Sequence, residues 1–194
     1  MRAFLMNGGL AGGTGEEALR TVELLLGREL AERGFDVDVA QLREIPVAYC
    51  RGCFECWVET PGICRTDDGA RDLARRFVGS DLVVFLTPVT FGGYSSELKK
   101  ALDRSIGLVS PFFRRTDGAF QHLARYERYP ALLGVGVMSG PDGEDEELFH
   151  TLVERNAHNM HAPAHASAVT YWSEDVGRLH PRLGELLDTV VGVA

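Results

Sequence analysis

Cys50, Cys53, Cys56 and Cys64 are the only thiols of the chain, spaced C-x2-C-x2-C-x7-C. Four thiolates in so compact a stretch suit a [4Fe–4S] cluster, which is held by four cysteine sulfurs. Zinc also accepts four sulfurs, but the two well-separated C-x2-C pairs of a ribbon are missing. The third reading is plain thiols packing a loop, and the spacing alone does not choose among the three. Such crowding argues against a disulfide framework in a protein of the reducing cytosol.

Three other stretches suit close approach of backbone to a ligand. Gly8 to Gly15 is glycine-rich. In Pro88-Val89-Thr90-Phe91-Gly92-Gly93-Tyr94 the proline fixes the exit from a strand, and the glycine pair lets amides face a flat ligand beside two aromatics. Ser139 to Gly143 is the third. Gly13, Gly15 and Ala18 fit G-x-G-x-x-A, with Asp36 and Asp38 about twenty residues on. Those acids fall at the start and middle of the second strand, not at its end where a ribose would lie. No Lys follows the glycines, which excludes a P-loop. His158, His161 and His165 cluster near a helix end, where surface or capping roles are a better reading than a metal site.

These residues need a frame to position them. Arg2 to Asn7 reads as a buried strand. Leu19, Val22, Leu26 and Leu30 then recur at helical spacing, with Gly34 as the C-cap. Phe35 to Ala40 alternates like a half-exposed strand, and residues 42–66 are irregular. A helix is expected from Asp67, its N-cap, to Phe77. Leu82 to Leu86 is a continuous apolar run of the kind found in a central parallel strand. Further helices are expected over Ser95–Ile106, Gly143–Met160 and Pro181–Val191, and further strands over Ala131–Met138 and Ala166–Tyr171. Strand and helix alternate five times, so the fold expected is α/β, a parallel sheet with helices on both faces. Residues 1–194 read as one domain with a Cys-rich loop at 44–66 and an insertion at 108–130. In such sheets ligands bind beyond the carboxyl ends of the strands, which is where the three backbone-rich loops fall.

The 194 residues carry 20 Lys and Arg against 28 Asp and Glu, a net charge of −8. Nothing here neutralises a phosphate backbone, so nucleic acid is not an expected partner. The longest apolar run, Ala131 to Met138, is far short of the roughly 18 residues of a membrane span. The first residues lack the features of a signal peptide, and a cytoplasmic protein is expected.

Asn7-Gly8, the run from Cys50 to Trp57 with Gly62-Ile63-Cys64 and Asp67-Asp68, and Pro88 to Gly92 followed by Leu98-Lys99 and Asp103-Arg104 together resemble the NAD(P)H-dependent FMN reductases of flavodoxin-like fold, their iron–sulfur flavoprotein branch included. The resemblance implies a doubly wound, three-layer α/β/α fold with strand order 2-1-3-4-5. It implies FMN, with NAD(P)H as co-substrate. Gly9, Gly12, Gly13, Thr14 and Gly15 would meet the phosphate. Pro88, Val89, Thr90, Phe91, Gly92 and Gly93 would line the isoalloxazine, and Ser139 and Gly140 would approach its other side. Thr90 stands where the family usually has Tyr, leaving Phe91 or Trp57 as stand-ins for stacking.

The polar side chains that usually meet the phosphate are replaced here by Gly9, Ala11, Gly15 and Glu16, with Thr14 keeping a hydroxyl. Glu16 places a negative charge in the first helical turn, so weaker FMN binding is expected than is normal for the family. Cys50, Cys53, Cys56 and Cys64 match the cluster spacing of the iron–sulfur branch, with a cluster and plain thiols both left open. Lys99, Asp103 and Arg104 read as a helix-face salt-bridge set. The cofactor carries the chemistry, so no side chain is named as catalytic. Phe112, Phe113, Phe120, Tyr126 and Tyr129, interleaved with arginines, have the composition of an interface and read as a homodimer or homotetramer arm, or a lid. The expected function is an FMN-dependent NAD(P)H oxidoreductase passing hydride or electrons to a quinone, nitro compound, flavin or similar acceptor. The alternatives are a [4Fe–4S] electron-transfer flavoprotein serving protein partners, and a flavodoxin-like binding protein that has lost its cofactor.

Overall fold

The computed structural model describes residues 1–10, 12, 15–116 and 118–192. Strand β1 (Arg2–Asn7) leads into helix α1 (Glu16–Glu32) and strand β2 (Asp36–Gln41). The short helix α2 (Glu55–Val58) sits within the cysteine-rich stretch and is followed by α3 (Gly69–Val78), β3 (Leu82–Pro88) and α4 (Ser96–Arg104). Then come β4 (Val109–Thr116), β5 (Ala119–Ala124), β6 (Ala131–Met138), α5 (Gly143–Asn159), β7 (His165–Tyr171) and α6 (Val176–Val191).

Five strands form one parallel sheet in the order β2-β1-β3-β6-β7. Without the separate β4–β5 pair this is the expected 2-1-3-4-5, with the order reversing between β1 and β3. Alternation along each strand divides the core in two. Phe4, Met6, Val83, Phe85 and Leu132 face a layer that includes Leu73, Phe77, Leu98 and Phe149. Ala3, Leu5, Val84, Leu133 and Val135 face one that includes Leu19, Leu26, Leu183 and Leu187. β6 is apolar throughout, and β3 from Leu82 to Leu86, because both of their faces are covered.

The structure corrects the sequence reading in four places. The insertion at 108–130 has regular structure that its sequence did not show: an antiparallel hairpin, β4 with β5, whose strands alternate too little for periodicity to register. The cap of α3 is Asp68, not Asp67, because the Asp68 carboxylate accepts the Ala70 N–H. α6 starts at Val176 rather than Pro181, since Asp175 caps it through the Gly177 N–H and Pro181 lies inside. β3 extends to Pro88, paired there with Val137, so Pro88 ends the strand rather than opening a loop.

Candidate functional site

Three loops leave the adjacent strands β1, β3 and β6 at their carboxyl ends, beside the point of reversal. At the first, the buried Asn7 uses its side-chain oxygen to accept the Gly9 N–H at 2.8 Å. The Gly8 N–H donates to Leu86 O at 2.8 Å, and Ser95 Oγ donates to Gly8 O at 2.6 Å. Only glycine fits at position 8, since a Cβ there would stand 2.9 Å from Leu98 Cβ. The first and second loops are thereby locked together. Gly13 and Thr14, assigned to the phosphate from sequence, lie outside the described residues.

At the second loop the Val89 N–H donates to Val137 O at 3.0 Å, and Thr90 and Gly93 exchange backbone hydrogen bonds. Phe91 (φ 50) and Gly92 (φ 68) form a left-handed two-residue tip. Gly92 lies against Leu148 of α5, and Phe91 is 95% exposed. Next in the chain, Tyr94 is tucked edge-on between Phe85 and Phe149, with its hydroxyl accepting from Asn156 Nδ2 at 3.1 Å. Burial pushes that hydroxyl well above the ordinary tyrosine range, so it stays protonated. Ser139 and Gly140 follow β6, and the space beside the Gly140 Cα is open, as it is at Gly12.

Sequence reasoning missed two residues at this end. Trp172, directly after β7, lays its indole against Gly15 and leaves no room there for a Cβ. Its position at a strand's carboxyl end was the available signal. Arg43, in the turn after β2, pairs with Glu16, whose other oxygen accepts the Gly12 N–H at 3.2 Å. Both interactions hold the Glu16 carboxyl below the usual carboxylate range. The negative charge expected to repel a phosphate is thus matched by a cation, but it also occupies a loop amide.

Trp57 is no stand-in for the missing Tyr. Its indole N–H is shared between Ile106 O and Val109 O, and its ring stacks on Phe54 and against His122. Lys99 and Asp103 make the surface pair expected of them, whereas Arg104 does not belong to that face. Its side chain is 1% exposed and binds Asp68 through both guanidinium ends at 2.9 Å. Asp38 is likewise engaged, by Arg76.

All four cysteines line one enclosed cavity of about 30 Å³, together with Arg104 and Ile106. Burial pushes the Cys56 thiol up, and the neighbouring Cys64, Cys50 and Cys53 add to the rise. Cys50 and Cys53 are exposed, Cys56 is buried, and none is in a disulfide. Among the described residues no three His, Cys, Asp or Glu side chains stand at metal-ligating spacing, the histidine group 158, 161 and 165 included. A cleft of about 770 Å³ runs from Leu10 of the first loop past Glu97 and Lys100 to Ala48, Thr66 and Asp68, at the neck of the cysteine loop.

The profile of the family described as NADPH-dependent FMN reductase matches residues 1–172. The chain belongs to that family. An iron–sulfur flavoprotein of Archaeoglobus fulgidus is 30% identical over 111 residues, 54% of this chain and 56% of that protein. One from Methanosarcina thermophila is 31% identical over 75 residues, 39% of this chain and 38% of its own length. The chain thus spans about half or less of the curated relatives it matches. Among solved structures, an NAD(P)H:quinone oxidoreductase from Methanothermobacter marburgensis superposes with a TM-score of 0.68 at 11% identity, covering 96% of this chain and 98% of that one. An FMN-dependent NADH-azoreductase from Bacillus anthracis, solved with FMN, gives 0.64 at 12% identity over the whole of both chains. Both show the shared fold.

The residues present fit the family's FMN at the ring end. Phe91 is exposed, Trp57 is held elsewhere, and open space lies beside Gly140. The phosphate end carries the Glu16–Arg43 pair instead of the usual side chains. A cluster fits by donor set, with four sulfurs around one cavity. As it stands the cavity has room for about two waters.

Proposed function

We propose that this chain is an FMN-dependent NAD(P)H oxidoreductase serving a quinone, nitro, flavin or similar small-molecule acceptor. The observation that carries the proposal is the convergence of three backbone-rich loops at the carboxyl ends of β1, β3 and β6, beside the reversal of strand order. Gly9, Gly12, Gly13, Thr14 and Gly15 would take the phosphate end. Pro88, Val89, Thr90, Phe91, Gly92 and Gly93 would take the ring, with Ser139 and Gly140 across from them. FMN, when bound, supplies two-electron chemistry between the nicotinamide and the acceptor. The chain's part is to fix the ring with loop amides and to keep the Tyr94 hydroxyl neutral beneath the second loop. We read residues 1–194 as one domain acting in the reducing cytoplasm, where four free thiols persist. The 108–130 hairpin serves in this reading as the arm of a homodimer.

Titration of the purified protein with FMN, followed by anaerobic mixing with NADH or NADPH, tests the reading. Bleaching of the flavin absorbance and its return on adding a quinone are expected. Protein that stays colourless with FMN would instead be a flavodoxin-like binding protein without its cofactor.

The shared cavity of Cys50, Cys53, Cys56 and Cys64 favours a second reading in addition, that the chain also carries [4Fe–4S] and passes single electrons. About four irons and four sulfides per chain after anaerobic reconstitution would support it. Zinc, or no metal, would leave the plain flavin reductase.

A further inference from the structure

Arg104 closes the neck of the cysteine loop. Nη1 donates to Ala48 O at 2.8 Å and Nη2 to Thr66 O at 3.1 Å, so one guanidinium ties together the two ends of a segment that contains all four cysteines. Asp68 takes one further bond from each nitrogen, and its own carboxylate also accepts the Ala48 N–H at 2.9 Å. A guanidinium has five N–H donors. Four are thereby engaged, and the fifth, on Nε, is buried with no hydrogen-bond partner. Such a donor ordinarily finds one, because leaving it unmade forfeits its hydration without return. Arg104 lines the cavity shared by the four sulfurs. The wall beside it is the turn after α4, where a Cβ on Gly107 would stand 3.6 Å from Cys56 Sγ.

We propose that Arg104 is a positioning residue for a cluster in this cavity: its Nε–H donates to a ligating cysteine sulfur. The proposal rests on the second reading above, that the cavity takes [4Fe–4S]. Adding one electron to such a cluster adds one negative charge, and an N–H donor on a ligating sulfur stabilises the more negative state. Hydrogen bonds to the sulfurs are among the features that set cluster potentials. Lysine keeps the charge at this position but not the planar fork, so it can neither hold both ends of the loop nor aim a donor from Nε.

The test uses the full chain reconstituted anaerobically with ferrous iron and sulfide. Midpoint potentials are read by chemical reductive titration followed by electron paramagnetic resonance. Relative to wild type, Arg104→Lys is expected to favour the oxidised cluster about tenfold, which for one electron is a fall of about 59 mV. Arg65→Lys, at an exposed arginine lining the same cavity, is expected to leave the potential unchanged. Arg104 also binds Asp68, and its variants risk misfolding, so a second measurement uses unaltered sequence. Wild-type protein grown with ¹⁵N-arginine should show a ¹⁵N coupling to the reduced cluster in pulsed resonance spectra. Cluster-loaded protein with no such coupling overturns the role of Arg104 while leaving the cluster reading intact, as does a folded Arg104→Lys variant with an unshifted potential. Failure of wild type to take up iron and sulfide removes the cluster reading and the proposal together.

Discussion

Glu16 and Arg43 decide how the first loop meets an anion. The carboxylate accepts from Gly12 and is matched by the guanidinium, so the loop is partly satisfied by its own side chain. Glu16→Gln removes the charge and leaves Arg43 with only its longer contact to Glu44, 3.7 Å, able to face a phosphate. FMN should then gain severalfold in affinity while riboflavin does not, measured by fluorescence quenching of each flavin. Asp68 sets a second expectation. Burial alone would raise its carboxyl, but Arg104 and the Ala48 and Ala70 amides outweigh this and hold it below its ordinary value. A folded-state pKa below the unfolded ~3.9 means a contribution fully present above that pH and lost as pH falls through the folded value. Asp68→Asn should therefore flatten the acid limb of the stability profile. At neutral pH it should cost about 3–5 kcal/mol, because it leaves Arg104 buried without a counter-charge. Chemical denaturation between pH 3 and 7 reads both.

At the scale of elements, the close approach of α5 to the sheet depends on glycine in β6. A Cβ on Gly134 would fall 2.4 Å from Val153 Cγ2. Gly134→Ala must push α5 outward and should cost about 1–3 kcal/mol of unfolding free energy by urea titration, the usual penalty of overpacking. The same helix carries Leu148 against Gly92 and Asn156 against Tyr94, so a shift of α5 also reaches the second loop. A loss of flavin affinity should accompany the loss of stability. The β4–β5 hairpin is joined to the cysteine loop by a ladder of rings, Phe54 on Trp57, Trp57 against His122, and His122 against Phe113. Its outer residues have no such cover.

Across the whole molecule, Phe112, Phe113 and Phe120 stand 69%, 59% and 75% exposed on one hairpin, a concentration of aromatic surface that a second copy of the chain would bury. The homodimer proposal predicts that Phe112→Ser combined with Phe120→Ser yields monomer in sedimentation velocity at concentrations where the parent chain is dimeric. A parent chain that is monomeric throughout would remove the arm. Among the described residues no helix is long and apolar enough to cross a membrane.

The sequence by itself determined the parallel sheet, and the family resemblance implied its order. Apolar runs such as Leu82–Leu86 and Ala131–Met138 suit only strands covered on both faces, and right-handed crossovers leave few ways to arrange them. It also marked the loops, since glycine, proline and an Asn-Gly pair record backbone constraints that are local to the chain. Whatever depends on partners distant in sequence was decided by the tertiary structure alone. Arg104 read as one of a helix-face set with Lys99 and Asp103, and nothing local paired it with Asp68, 36 residues away, until folding brought the two together. Arg43 and Trp172 reached the first loop from β2 and β7, and Trp57 was drawn away from the second by the carbonyls of Ile106 and Val109. The hairpin at 109–124 escaped notice because an exposed two-stranded pair has no buried face to impose alternation. Local patterning sets which element forms. Which side chains then meet is fixed only when the elements pack, because burial drives most of the remaining polar atoms to find a partner.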